Sequence, residues 1–275
     1  MALSLQEIFP DEDYRFHLTL RKVDPAEFFS NPDPDLLRQR RHWLAEDASR
    51  YCAFLPAAAS LLDEWEALAA AWNLGRPTLS QTEGDGRSRL SALSAQLAPD
   101  VLLLTRGADG GFKLAAGAVC FPSSWSLEEK MGRGLEEIHL PVPGLNPGLG
   151  ATINQFLARM RPGVGYGRAN WGMAATPELN LHPALGRPRL DGPFDPKRTW
   201  LRIEDQLLTT LPATGGILFG ITIRVYPLAQ ALEEPGVAAG LARALQSMPD
   251  DLAAYKGLTR IRPALVAAAN PPKAA

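Results

Sequence analysis

The chain has 275 residues, with 28 basic and 30 acidic side chains and a formal charge of −2, so it lacks the cationic surplus needed to wrap nucleic acid by bulk electrostatics. Apolar residues at 46% and charged residues at 21% exclude a wholly disordered chain; at this length a core can bury about 75% of the unfolded surface. Cys52 and Cys120 have neither CxxC nor zinc-ligand spacing, which points to a reducing compartment. The start, MALSLQEIFPDEDYRF, carries acids where a signal peptide carries basic residues. No apolar run nears the ~20 residues of a membrane span, and a cytoplasmic protein is expected. The 24 glycines and 24 prolines favour turns and short strands over a helical bundle.

Residues 1–30 scatter Phe9, Phe16, Phe28 and Phe29 without a helical period and read as an arm. A helix is expected over Asp33–Ala48, with Asn31 or Asp33 as its cap, and another over Ala57–Trp72, where Leu61, Leu62, Trp65, Leu68 and Trp72 recur at helical spacing. The polar stretch 75–89 is a loop before a short helix at Leu90–Leu97. Val101–Thr105 and Phe112–Phe121 flank a glycine-rich turn and form a hairpin. A short helix fits Ser126–Gly132, and a longer one Leu149–Met160. Strands follow at Gly167–Met173, Trp200–Leu211 and Ile217–Tyr226; the last alternates Ile217, Phe219, Ile221, Ile223 and Val225. That apolar strand reads either as a covered core strand or as an edge that pairs with a second copy in a homo-oligomer. Helices at Ala229–Met248, broken at Pro235-Gly236, and at Asp250–Leu258 precede a frayed tail over 265–275. One α+β domain spanning 1–275 is the simplest account.

Several chemistries find no motif. GxxxxGK[ST], GxSxG and HExxH are missing, and Gly163-Val-Gly165-Tyr-Gly167 precedes a strand instead of opening a helix. Ser123-Ser124 has no histidine near it in sequence. The histidines at 17, 42, 139 and 182 form no cluster, so each stands singly. One imidazole is too few for zinc but enough for haem iron, where the porphyrin supplies four nitrogens. His139 lies in Ile138-His139-Leu140-Pro141-Val142-Pro143, apolar and pinned by prolines; the alternative is a core histidine donating to a carbonyl. Arg168 and Asn170 share one face of a strand, as do Arg202, Glu204 and Gln206. Such faces suit a polar pocket or a solvent-facing sheet.

The run Phe121-Pro-Ser-Ser-Trp125, then Glu129-Lys130-Met131-Gly132, Ile138-His139-Leu140-Pro141-Val142-Pro143, Arg168-Ala169-Asn170-Trp171 and Leu201-Arg202-Ile203-Glu204-Asp205-Gln206 with Leu211-Pro212 resembles the haem-dependent oxidative N-demethylase family. The likeness covers about residues 15–260, and it is the order of the motifs that is specific. The resemblance implies a PAS-like antiparallel sheet flanked by N-terminal and C-terminal helices. It also implies haem b used as an oxygenase, and secondary amines such as dimethylamine as substrates. On it, His139 is the proximal iron ligand, Lys130 and Arg133 meet the propionates, and Trp171 stands at the cofactor. For Lys130 and Arg133 a solvated helix face is the alternative; for Trp171, core packing. Arg168, Asn170 and Glu204 line the distal pocket, with Glu204 opposite the ammonium charge. Dioxygen and a separate flavin or iron–sulfur reductase complete the implied chemistry, because two cysteines cannot hold a cluster. A haem-binding sensor without turnover and a haem-free relative remain open at this point.

Overall fold

The computed structural model describes residues 2–15, 20–30, 33–74 and 85–270, the side chains of residues 149 and 151 excepted. His17 and Asn31 lie outside the described residues. Asp33 is the cap of the helix Pro34–Glu46: its carboxylate accepts from the amides of Asp35 and Leu36, and Pro34 sits where a helix needs no amide donor.

Seven strands form one antiparallel sheet among the described residues. They are β1 (Arg21–Val23), β2 (Cys52–Phe54), β3 (Asp100–Arg106), β4 (Phe112–Ala118), β5 (Gly165–Ala174), β6 (Trp200–Thr210) and β7 (Ile217–Pro227), in the spatial order β1-β5-β6-β7-β3-β4-β2. The α+β class expected from the sequence holds. β6 and β7 pair from Trp200↔Pro227 to Thr210↔Ile217. Their turn closes through the Gly216 carbonyl, which accepts from Leu211 N at 2.8 Å, and Gly215 takes the positive φ of +69° that the turn requires. β7 is an interior strand, bonded to β6 on one side and to β3 on the other. Its apolar alternation reflects burial on the sheet and not an edge awaiting a second copy.

Other expectations are corrected. Residues 1–30 contribute more than an arm: Arg21–Val23 pairs with Gly165–Gly167 at the sheet edge, and the helix Pro25–Ser30 buries Phe29. The segment 265–275 is not frayed throughout. Residues 265–269 belong to the helix Arg262–Ala269, which buries Leu265 and Ala269; residues 271–275 lie outside the described set. Only a single 3-10 turn, Glu128–Lys130, forms within Ser126–Gly132, while the helix placed at Leu149 begins earlier and runs Leu145–Arg159. No helix among the described residues is long and apolar enough to cross a membrane.

The two faces of the sheet are covered differently. On one, Phe29 closes over Gly220, where a Cβ would sit 2.7 Å from its ring. Further along that face Trp171, Leu201 and Ile203 pack with Leu241, Leu245, Leu252, Leu258 and Leu265 of the C-terminal helices. On the other face Leu102 and Leu127 both close on Gly117, where a Cβ would sit 2.8 Å from the first and 3.0 Å from the second. Phe156 of the helix Leu145–Arg159 meets Tyr166 of β5 edge-on, with ring centroids 5.3 Å apart.

Candidate functional site

Directly opposed residues of an antiparallel pair share a face, so the register builds the site row by row. Arg168, Gln206 and Ile221 form one row across β5, β6 and β7; Asn170, Glu204 and Ile223 form the next; Gly172, Arg202 and Val225 form the third. The expectation that Arg168, Asn170 and Glu204 lie together is therefore met by geometry. Trp171 points the other way. Its ring packs on Phe9 at 5.2 Å and Tyr14 at 6.4 Å, inside the cluster formed with the C-terminal helices.

Glu204 gathers three side-chain donors on this face. Its Oε1 accepts from Ser123 Oγ at 2.6 Å. Its Oε2 accepts from Asn170 Nδ2 at 3.3 Å and Gln206 Nε2 at 3.0 Å. Arg202 is buried beside it and donates through Nε to Ser123 Oγ at 2.8 Å. Its outer nitrogens donate to the carbonyls of Phe121, Leu179 and Glu178. Burial lowers the Arg202 pKa to about 10, against the opposing pull of Glu204 and Asp100.

The loop after β4 brings Ser123 here. Asp100, at the start of β3, accepts from the amides of Cys120 at 2.8 Å and Phe121 at 3.1 Å. The buried Arg40 stands 2.9 Å from the same carboxylate and donates to the Ala98 carbonyl at 2.7 Å. Burial raises the Asp100 pKa, while Arg40 and the two amides oppose the rise.

His139 ends the short helix Leu135–His139. Upstream, the loop is held to β4 by Gly132 N on the Leu114 carbonyl at 2.8 Å and Leu114 N on the Arg133 carbonyl at 3.1 Å. Downstream, Val142 N donates to the His139 carbonyl at 2.9 Å. The imidazole itself makes no hydrogen bond or ion pair with any of the described residues. Burial, with the positive charges of Lys130 and Arg168 nearby, pushes its pKa down to about 4, so the ring is neutral at pH 7 with a nitrogen lone pair available.

Three cations surround this region without a carboxylate bonded to any of them among the described residues. Lys130 lies 5.4 Å from the Trp125 ring, and burial lowers its pKa. Arg168 is also lowered by burial, with Glu204 and Tyr14 opposing. Lys256 donates to the Trp171 carbonyl at 2.7 Å and lies 5.2 Å from the Trp171 ring. Burial pushes it down to about 8, with Glu204 opposing and Arg168 reinforcing. Arg133 is exposed.

The model of the family described as haem-dependent oxidative N-demethylase, alpha subunit-like, matches residues 64–266. The chain belongs to this family. The demethylase match spans every group just described except Tyr14, Phe9 and Arg40, which belong to the segment that precedes it. The family description also names an alpha subunit, which implies an enzyme with other subunits.

Sequence reasoning placed Arg202 and Gln206 on the right strand face and missed what Ser123 and Lys256 do. Ser123 meets its partners 79 and 81 residues away, and Lys256 meets Trp171 85 residues away. The two serines invited a search for a histidine partner, whereas a carboxylate and an arginine were the relevant ones.

Proposed function

We propose that the chain binds haem b between His139 and the β5–β7 face and catalyses oxidative N-demethylation of a small secondary amine such as dimethylamine. The observation that carries this is the neutral His139 imidazole, without a hydrogen-bond or ion-pair partner among the described residues, close to cations to which no described carboxylate is bonded. Such donors suit haem: iron takes an unprotonated imidazole nitrogen, and two propionates would pair with cations to which no described carboxylate is bonded. His139 would hold the iron, and Lys130 and Arg168 the propionates. Bound haem supplies the activation of dioxygen and the oxidation of the N-methyl carbon.

The rest is the work of the protein's own groups. Glu204 takes the positive charge of the amine, with Asn170 and Gln206 fixing its second oxygen. Ile221, Ile223 and Val225 line the neighbouring positions and keep water from the methyl group. The balance is R–NH–CH3 + O2 + two electrons + two protons giving R–NH2, formaldehyde and water. The carbinolamine that precedes formaldehyde collapses without a dedicated general acid, and none is assigned. Both electrons come from a separate flavin or iron–sulfur reductase, in keeping with an alpha subunit. Arg133, exposed, and Trp171, packed on the opposite face, are left out of this assignment.

The test is formaldehyde release from dimethylamine by haem-loaded protein supplied with dioxygen, NADPH and a surrogate flavin reductase. Amine-dependent formaldehyde supports the proposal. Stable dioxygen binding without formaldehyde would make the chain a gas-binding module instead.

A further inference from the structure

The hydroxyl of Ser123 stands between two charged partners, and its direction is forced. It accepts from Arg202 Nε and donates to Glu204 Oε1. An arginine side chain has donors and no acceptor, so the single hydroxyl proton can go only to the carboxylate. Arg202 is fixed in turn by three backbone carbonyls. The loop holding the serine is anchored on Asp100, and Ser124, its next residue, takes a φ of +63°, a left-handed conformation disfavoured for a residue with a Cβ. Strain of this kind persists where the surroundings over-determine a geometry.

A carboxylate offers about four acceptor sites. Those of Glu204 meet three protein donors among the described residues, Ser123, Asn170 and Gln206, which leaves room for one more hydrogen. We infer that Ser123 is a positioning residue: it aims the Glu204 carboxylate so that the remaining lone pair meets an N–H of the bound amine. The inference rests on the reading of Glu204 as the amine's anchor and goes further by naming what sets its direction. It also narrows the ligand class to cationic amines that keep at least one N–H. A quaternary ammonium ion carries the same charge but cannot fill the last acceptor site.

Calorimetric titration of the haem-loaded full chain with dimethylammonium and tetramethylammonium chloride tests this without any turnover. Wild type is expected to favour dimethylammonium by at least about tenfold, the scale of a hydrogen bond to a charged group. Ser123→Ala is expected to bring the two affinities within about threefold of each other, and Ser123→Thr, which keeps the hydroxyl, to restore the preference. If Ser123→Ala fails to fold, Ser123→Cys replaces a strong donor with a weak one and is expected to lose most of the preference. A purely structural serine would change both affinities together and leave their ratio alone. A preference that survives Ser123→Ala but is lost in Glu204→Gln overturns the role of Ser123 while the Glu204 anchor stands. A preference that survives Glu204→Gln, or that wild type lacks, overturns both.

Discussion

β5 and β6 carry two different regions of the molecule on alternate residues. On one face stand Arg168, Asn170, Arg202, Glu204 and Gln206; Asn170 and Gln206 hydrogen-bond to Glu204, and Glu204 and Arg202 to Ser123. One residue along, Trp171, Leu201 and Ile203 point into the C-terminal helices and are almost wholly buried. The charged residue of β6 on that side, Asp205, is paired with Arg224, which also reaches the Leu3 carbonyl. The difference teaches that a single pair of strands can separate stability from chemistry by parity alone. Apolar packing on the far side keeps the backbone rigid, and the near side can then hold charged groups in an arrangement that packing by itself would not favour.

The sharpest way to break that division is Trp171→Ala. Removing a buried indole from the far face is expected to cost about 3–5 kcal/mol in urea unfolding and to leave haem uptake unchanged. Loss of haem affinity with little loss of stability would move Trp171 to the cofactor side. Arg202→Met comes next, because it crosses the division. It strips three backbone carbonyls and Ser123 of their donor, and the expected cost is about 3 kcal/mol, with weaker amine binding as well. A stable variant with unchanged amine affinity would mean that the polar face is not held by this residue. Glu204→Gln separates the two regions cleanly: amine affinity is expected to fall about tenfold, or about 1.4 kcal/mol, with stability within about 1 kcal/mol of wild type. Titration calorimetry and a denaturation curve on the same sample decide it.

The smallest effect lies at the sheet edge. Burial holds the folded pKa of Lys256 at about 8, against an ordinary 10.5. Between those values the unfolded chain keeps a proton that the folded chain has released, so Lys256 contributes a rise in stability as pH increases from about 8 towards 10.5. Lys256→Met is expected to remove that rise. Urea midpoints that change equally with pH in wild type and variant would show that Lys256 carries no burial cost.

Much of this architecture was legible because it is periodic. The alternation in Ile217–Tyr226 and the polar parity of Arg202, Glu204 and Gln206 are properties of the chain itself, and the sheet converts them into faces. Strands of three residues such as Arg21–Val23 and Cys52–Phe54 have no period to read, so β1 and β2 emerged only from tertiary pairing. Residues 265–269 read as part of a tail because their burial rests on one leucine and small side chains packing against other helices. The period of two that joined Arg168 to Asn170 also set Trp171 opposite them, and a stricter use of it would have removed Trp171 from the cofactor side. Ser123, Asp100 and Lys256 could not be found this way, since each acts through contacts made only when distant segments meet.

In the proposed function His139 would present a neutral imidazole to haem iron. Titrating haemin into wild type and His139→Ala while recording the absorption spectrum tests it most directly. Saturable uptake with a sharp Soret band is expected in wild type, and a shifted or lost band in the variant. No saturable uptake by wild type, or identical spectra and affinities in the two proteins, would contradict it.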